Sequence, residues 1–288
     1  MSVEETIEPS TAVASAAGTC STCKQPVGPT QSSQGFVYAI GRVEPRFPRL
    51  GVEKEFAQQV RRVETKGQTD RQVMHTILSR SENRYLVRQM CWALTVEGID
   101  TWVLLPRHAS DFSLLVEALR QTPSSSDIDV VIGTVGPAAP SELCNGLTLP
   151  IVVFDQLYSF DQKDLLGGIP KPENVDEEQF RNSSQELLDR VMQLADNNGA
   201  SDSHRAVNYL AVRYPAVYAR VAAAFQSDQT LAAVDVMPSR LAGARNVVDV
   251  VFSFVDRSTD VTEKYFVRVD VTEEFPFLVT KLSPYFSR

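Results

Sequence analysis

Val248-Asp249-Val250-Val251-Phe252-Ser253-Phe254 and Tyr265-Phe266-Val267-Arg268-Val269-Asp270-Val271 decide the class of fold, because in each the large apolar side chains recur at every second residue. Successive side chains of an extended chain point to opposite faces, so each stretch reads as a strand with one apolar face. The polar run Asp256 to Thr262 joins them as an antiparallel hairpin. Lys264, Arg268 and Asp270 fall opposite the apolar set, which predicts a second face that is solvated or paired with charge. Upstream the period changes to that of a helix. Phe180, Leu187, Leu188, Val191 and Leu194 form one stripe over residues 176–197, with Asp176, Glu177 and Glu178 at the positive end and Asn198-Gly199 as the stop. Ser201 caps a shorter helix to Arg213, and Pro215 separates it from an Ala-rich helix over 216–225.

The first half mixes both periods. Phe36, Val37, Tyr38 and Ile40 make a β-prone run expected to end at Gly41. Val52, Phe56, Val60 and Val63 predict a helix, and Thr69 caps another carrying Val73, Ile77 and Leu78. Glu97-Gly98-Ile99-Asp100 lies between two apolar runs and reads as a hairpin turn, the alternative being a helix that ends near Gly98. Residues 111–119 read as a helix, and 128–132 and 149–154 as strands. The expected fold is α+β with two subdomains. One is a mixed helix and strand unit over 35–168. The other, over 169–288, is helical and then an antiparallel hairpin or meander. Gly167-Gly168-Ile169-Pro170-Lys171-Pro172 marks the boundary.

Residues 1–34, rich in Ser, Thr, Ala, Gly, Pro and Glu, read as a flexible arm without a secretory signal. No run of apolar residues is long enough to cross a bilayer as a helix. With 43% hydrophobic residues among 288 and a formal net charge of −8, the chain can build a core but repels phosphate backbones and anionic lipid. Nucleic acid and membrane are therefore not expected partners. The four cysteines read as reduced thiols, which puts the chain in the cytoplasm.

Cys20 and Cys23 form a C-x-x-C, half of a structural zinc site. The missing ligands would come from other residues or from the same motif of a second copy in a homodimer. Cys91 and Cys144 sit in apolar or turn contexts and read as small packed hydrophobes. His204, Arg205, Asn208, Tyr209 and Arg213 gather on one helix, where guanidinium forks and tyrosine rings suit a peptide backbone or carboxylate. The opposing reading is a helix that spends these groups on internal pairing. Glu273-Glu274 reads as a solvated turn. No G-x-G-x-x-G, phosphate-binding loop, H-E-x-x-H or G-x-S-x-G is present, and no catalytic residue is assigned.

Several strings carry a resemblance: Phe36-Val37-Tyr38-Ala39-Ile40-Gly41-Arg42-Val43-Glu44-Pro45, Asn83-Arg84-Tyr85-Leu86-Val87-Arg88-Gln89, Cys144-Asn145-Gly146-Leu147, His204 to Pro215, and Val269-Asp270-Val271-Thr272-Glu273-Glu274-Phe275-Pro276-Phe277. They resemble the PatG-type C-terminal domain of unknown function of cyanobactin maturation proteins. The resemblance implies a setting in ribosomal peptide maturation, with a precursor peptide or peptide-modifying enzymes as partners. It implies an accessory or scaffold role, since the family's protease lies in a different domain. Two other functions compete. One is a hydrolase or transferase built on His204 and Asp202, and the other is an oligomerisation module clamped by zinc.

Overall fold

The computed structural model describes residues 35–171, 175–241 and 243–286. The arm over 1–34, with Cys20 and Cys23, lies outside the described residues. The first half supplies strands β1 (Phe36–Arg46), β2 (Cys91–Val96), β3 (Ile99–Pro106), β4 (Asp127–Ala138) and β5 (Pro150–Asp161). They close into a barrel in the order β1-β2-β3-β5-β4, antiparallel throughout except where β3 meets β5. Helices α1 (Leu50–Val60), α2 (Asp70–Leu78), α3 (Arg84–Gln89), α4 (Phe112–Glu117) and α5 (Gln162–Gly167) fill the connections. Thr69 caps α2 through a reciprocal pair with Gln72, as its sequence predicts. Glu97 and Gly98 have φ of 50° and 79°, the left-handed pair of a two-residue hairpin turn, so the hairpin reading holds and the helix alternative falls.

β1 does not stop at Gly41. It runs on to Arg46 because a glycine lets β2 pass close by, where any Cβ would collide with the Thr95 carbonyl oxygen. Alternate residues of β1 serve two cores. Val37, Ala39 and Val43 point into the barrel lumen with Trp92, Leu104, Val131 and Phe154, and α1 to α4 close that core. Tyr38 and Ile40 point outward with Val130 and Ile132 and meet the second half of the chain.

The second half begins with α6 (Glu177–Met192), α7 (Asp202–Arg213) and α8 (Pro215–Gln226). Strands β6 (Gln229–Pro238), β7 (Val247–Asp256), β8 (Thr262–Asp270), β9 (Phe277–Leu278) and β10 (Ser283–Pro284) follow. They form a sheet in the order β10-β8-β7-β6, with β9 also on β8. Val250 faces Val267 and Phe252 faces Tyr265, the register of the predicted hairpin. Arg268 pairs with Asp249 at 2.7 Å, so the far side of the hairpin is paired with charge. Val250, Phe252, Val267 and Val269 share one core with α6, α7, α8 and the outer faces of β1 and β4, and the described residues form one compact unit.

α6 ends at Met192, short of the expected stop, and Asn198-Gly199 has another task. The turn lies on the edge of β1 that β4 leaves unpaired: the Tyr38 N–H donates to Gly199 O at 2.9 Å. Gly199 has φ of +77°, and a Cβ there would sit 2.5 Å from Ala39 Cα, so both conformation and space demand glycine. Asn208 Nδ2 donates to the Tyr38 carbonyl at 2.8 Å, while Asn208 and Asn197 exchange amide hydrogen bonds of 2.8 and 3.1 Å. Trp102 Nε1 donates to Asn198 O at 2.8 Å.

Cys91 and Cys144 correct the expectation of reduced thiols. They form a disulfide with Cα atoms 5.2 Å apart, packed with Val103, Ala139 and Ile151. The bond ties the start of β2 to the loop before β5, which the sequence separation of 53 residues concealed. Closing a loop of that length restricts the unfolded chain and stabilises by about 2–4 kcal/mol. Cys144→Ser, or reduction before a urea titration, is expected to lower stability by that amount; an unchanged midpoint would show that the pair is not bonded in solution.

Asp129 is 1% exposed, taking the Val43 N–H at 2.6 Å and the Ser159 hydroxyl at 2.5 Å. Burial raises its carboxyl to about 6 despite these bonds. Between pH ~4 and ~6 the folded protein therefore holds a proton that the unfolded chain has released, and stability falls as pH rises through that window. An asparagine can accept the Val43 N–H on its Oδ1 and donate from its Nδ2 to the Ser159 oxygen, without the charge. Urea midpoints taken from about pH 4 to 7 should show Asp129→Asn gaining on the wild type across the window, and parallel curves would rule the linkage out.

Candidate functional site

α7 carries all five residues singled out for binding, and its packing divides them. Ser201 accepts the His204 N–H and starts the helix, and the Asn208 amide locks its inner face to β1. Arg205, one turn earlier, is only 2% exposed. Its guanidinium donates to the carbonyls of Val271 at 2.6 Å, Glu273, and Glu274 at 3.3 Å, and lies 5.2 Å from the Phe36 ring centre. Asp202 sits 3.5 Å from Arg205. Arg205 and Asn208 are thus internal groups, which corrects their reading as surface anchors: the Arg205 Nη donors and the Asn208 amide are spent on backbone or amide partners. His204 is half-buried, its Nδ1 lies 3.4 Å from Asn198 Oδ1, and desolvation lowers its pKa. Among the described residues it makes no ion pair with Asp202, and the carboxylate charge that acts on it is that of Asp196.

Tyr209 and Arg213 lie four apart, on the next face, and open onto a cavity of about 370 Å³. The wall opposite is built by Tyr38, Ile132 and Gln156 from the barrel, and by Phe275 and Pro276 from the loop that Arg205 holds. The Tyr209 ring meets Tyr38 edge to face at 6.2 Å. Arg213 stacks on Tyr158 at 4.8 Å and makes no ion pair with a carboxylate among the described residues. The Tyr38 hydroxyl is buried without a well-formed hydrogen-bond partner; burial pushes it up to about 12, against the pull of the Arg213 charge. The cavity combines a cation without a carboxylate partner, a buried hydroxyl, a carboxamide and aromatic walls. This set suits a carboxylate or peptide carbonyl beside an apolar side chain.

Glu274, beside Phe275, is not the solvated acid its sequence suggested. Burial first, and then its contact with Asp155, raises the carboxyl to about 7. Asp155 is held low chiefly by Arg107, whose Nη2 reaches its Oδ2 at 2.6 Å. The two neighbouring carboxyls are thus pushed in opposite directions, Glu274 up and Asp155 down. Among the described residues no group of three or more His, Cys, Asp or Glu is placed to hold a metal. Tyr38, Gln156, Tyr158, Phe275 and Glu274 escaped assignment because the site joins segments distant in sequence. The one available signal was an aromatic side chain at Tyr38 on a strand whose two faces are both apolar.

Residues 174–285 match the PatG C-terminal family. No curated protein matches the chain. A solved structure titled "PatG Domain of Unknown Function" has a TM-score of 0.70, covering 88% of this chain and 99% of its own at 20% sequence identity, a likeness of fold. Over residues 174–285 the chain is similar to the PatG C-terminal domain, and its fold is that of the PatG domain of unknown function.

Proposed function

We propose that this PatG-type domain is a non-catalytic binding or scaffold protein in cyanobactin-like maturation of ribosomal peptides, and that it holds a precursor peptide at the Tyr209–Arg213 cavity. The observation that carries the reading is Arg213: an exposed guanidinium stacked on Tyr158, free of any carboxylate among the described residues, beside the buried Tyr38 hydroxyl. A preorganised arginine on an aromatic face loses little freedom on meeting an anionic partner. The proposal includes action in the cytoplasm, where ribosomal peptides are made. In such a compartment the Cys91–Cys144 bond is shielded by its burial, 1% and 4% exposed, from attacking thiolates. It also includes a structural zinc at Cys20 and Cys23, shared with a second copy, which rests on motif spacing alone.

Titration of a synthetic cyanobactin-type precursor peptide separates binding from packing. Arg213→Ala is expected to weaken binding by about 1–3 kcal/mol while the unfolding transition hardly moves. Arg205→Ala is expected to cost about 2–4 kcal/mol of stability, because it orphans several buried carbonyls. Unchanged affinity in Arg213→Ala would refute the site, and a turnover abolished by His204→Ala in folded protein would refute the non-catalytic role.

A further inference from the structure

A second concavity, of about 540 Å³, lies among α2, α3 and α4, away from the cavity at α7. Its size is that of an ordinary ligand pocket. Arg84 and Arg88 stand four apart on α3, so both guanidinium groups reach the same wall. Both are exposed, and neither makes an ion pair or hydrogen bond among the described residues. Glu117 also lines the groove yet pairs with neither. In a chain of formal net charge −8, two adjacent unpaired arginines in one concave surface make a local anion trap.

The hydroxyls lining the groove supply the opposite chemistry. Ser79 donates to His75 O at 2.6 Å, Ser113 to Ser110 O at 3.1 Å, and Ser110 to Asp111 Oδ1 at 2.8 Å. Each hydroxyl hydrogen is spent within the protein, so what remains for a ligand is lone pairs, which accept from N–H. The floor is apolar, built by Leu78, Val87 and Val116 with Phe112 half-buried at its side. Two cationic donors, three neutral acceptors and an apolar floor are the complement of a peptide end: a carboxylate, the amide N–H groups behind it, and an apolar terminal side chain.

We propose that the groove between α2, α3 and α4 binds the free C-terminus of a peptide ending in an apolar residue, with Arg84 and Arg88 on the carboxylate, the serine hydroxyls on the preceding N–H groups and the side chain against Leu78 and Phe112. The site is independent of the α7 cavity and stands or falls without it. Full-length protein labelled with ¹⁵N would be titrated with N-acetyl-Ala-Ala-Phe, with the same peptide as its C-terminal amide, and with 3-phenylpropanoate. The acid should shift amide signals of Arg84–Gln89 and Ser110–Val116 at submillimolar to millimolar concentration. The amide should bind about tenfold or more weakly, since it lacks the charge that strengthens a hydrogen bond to a guanidinium. 3-Phenylpropanoate should also bind more weakly, for want of N–H groups. Arg84→Ala with Arg88→Ala should lose about tenfold for the acid and little for the amide, with an unchanged melting temperature. Equal binding of acid and amide would overturn the proposal, as would a free acid as tight as the peptide. So would shifts confined to other regions, or none at several times ~1 mM.

Discussion

The reciprocal hydrogen bonds between Asn197 and Asn208, together with the bond from Asn208 to the Tyr38 carbonyl, set the geometry on which the site depends. Asn208 has no exposed surface and spends its amide on three partners that would otherwise be buried and unsatisfied. β4 pairs with one edge of β1 and β2 covers the other only from Arg42 onward. The Tyr38 N–H and C=O are thereby left open, and the Asn198-Gly199 turn and Asn208 close that gap. Fixing Asn208 inward also fixes the rotation of α7. Arg205 must then face the core, where it finds the carbonyls of the 271–274 loop, and Tyr209 and Arg213 are carried to the rim. One helix rotation thus decides which arginine is structural and which reaches the rim of the cavity.

The same geometry explains what could be read from sequence. Patterns that repeat within one element were legible: the alternation of Val248 to Phe254, the stripe of α6, the Thr69 and Ser201 caps and the Glu97-Gly98 turn. Barrel closure was not, because β1 pairs with β4 and β3 with β5 across long separations that no local period records. β6 escaped because only Gln229 and Leu231 of its ten residues are buried, so it lacks the alternation that marked β7. Among the site residues, composition found the right helix but not its rotation: Arg205 and Arg213 are chemically identical until Asn208 is placed. The disulfide was missed for a related reason, since Cys91 opens a strand and Cys144 ends a turn, with neither local context naming a partner.

The charge of this acidic protein is largely paired within the fold. Most arginines are consumed internally, as in the Arg268 to Asp249, Arg71 to Glu44 and Arg107 to Asp155 pairs. Among those that remain unpaired, Arg213 lines the cavity at α7, and Arg84 and Arg88 line the groove among α2, α3 and α4. The loop bearing Phe275 is anchored from behind by Arg205, whose guanidinium holds the carbonyls of Val271, Glu273 and Glu274. A wall fixed in this way is preorganised, and less ordering entropy is lost on binding.

The claim that Asn208 orients α7 is tested most directly by the unfolding free energy of Asn208→Leu in urea, set beside amide exchange at Tyr38 in the same protein. The variant keeps the volume but orphans the Tyr38 carbonyl and the Asn197 amide, at about 1–3 kcal/mol for each buried group. The account predicts a loss of about 2–4 kcal/mol and faster exchange of the Tyr38 amide, as the Gly199 turn loosens from β1. Wild-type stability with a protected Tyr38 amide would contradict it.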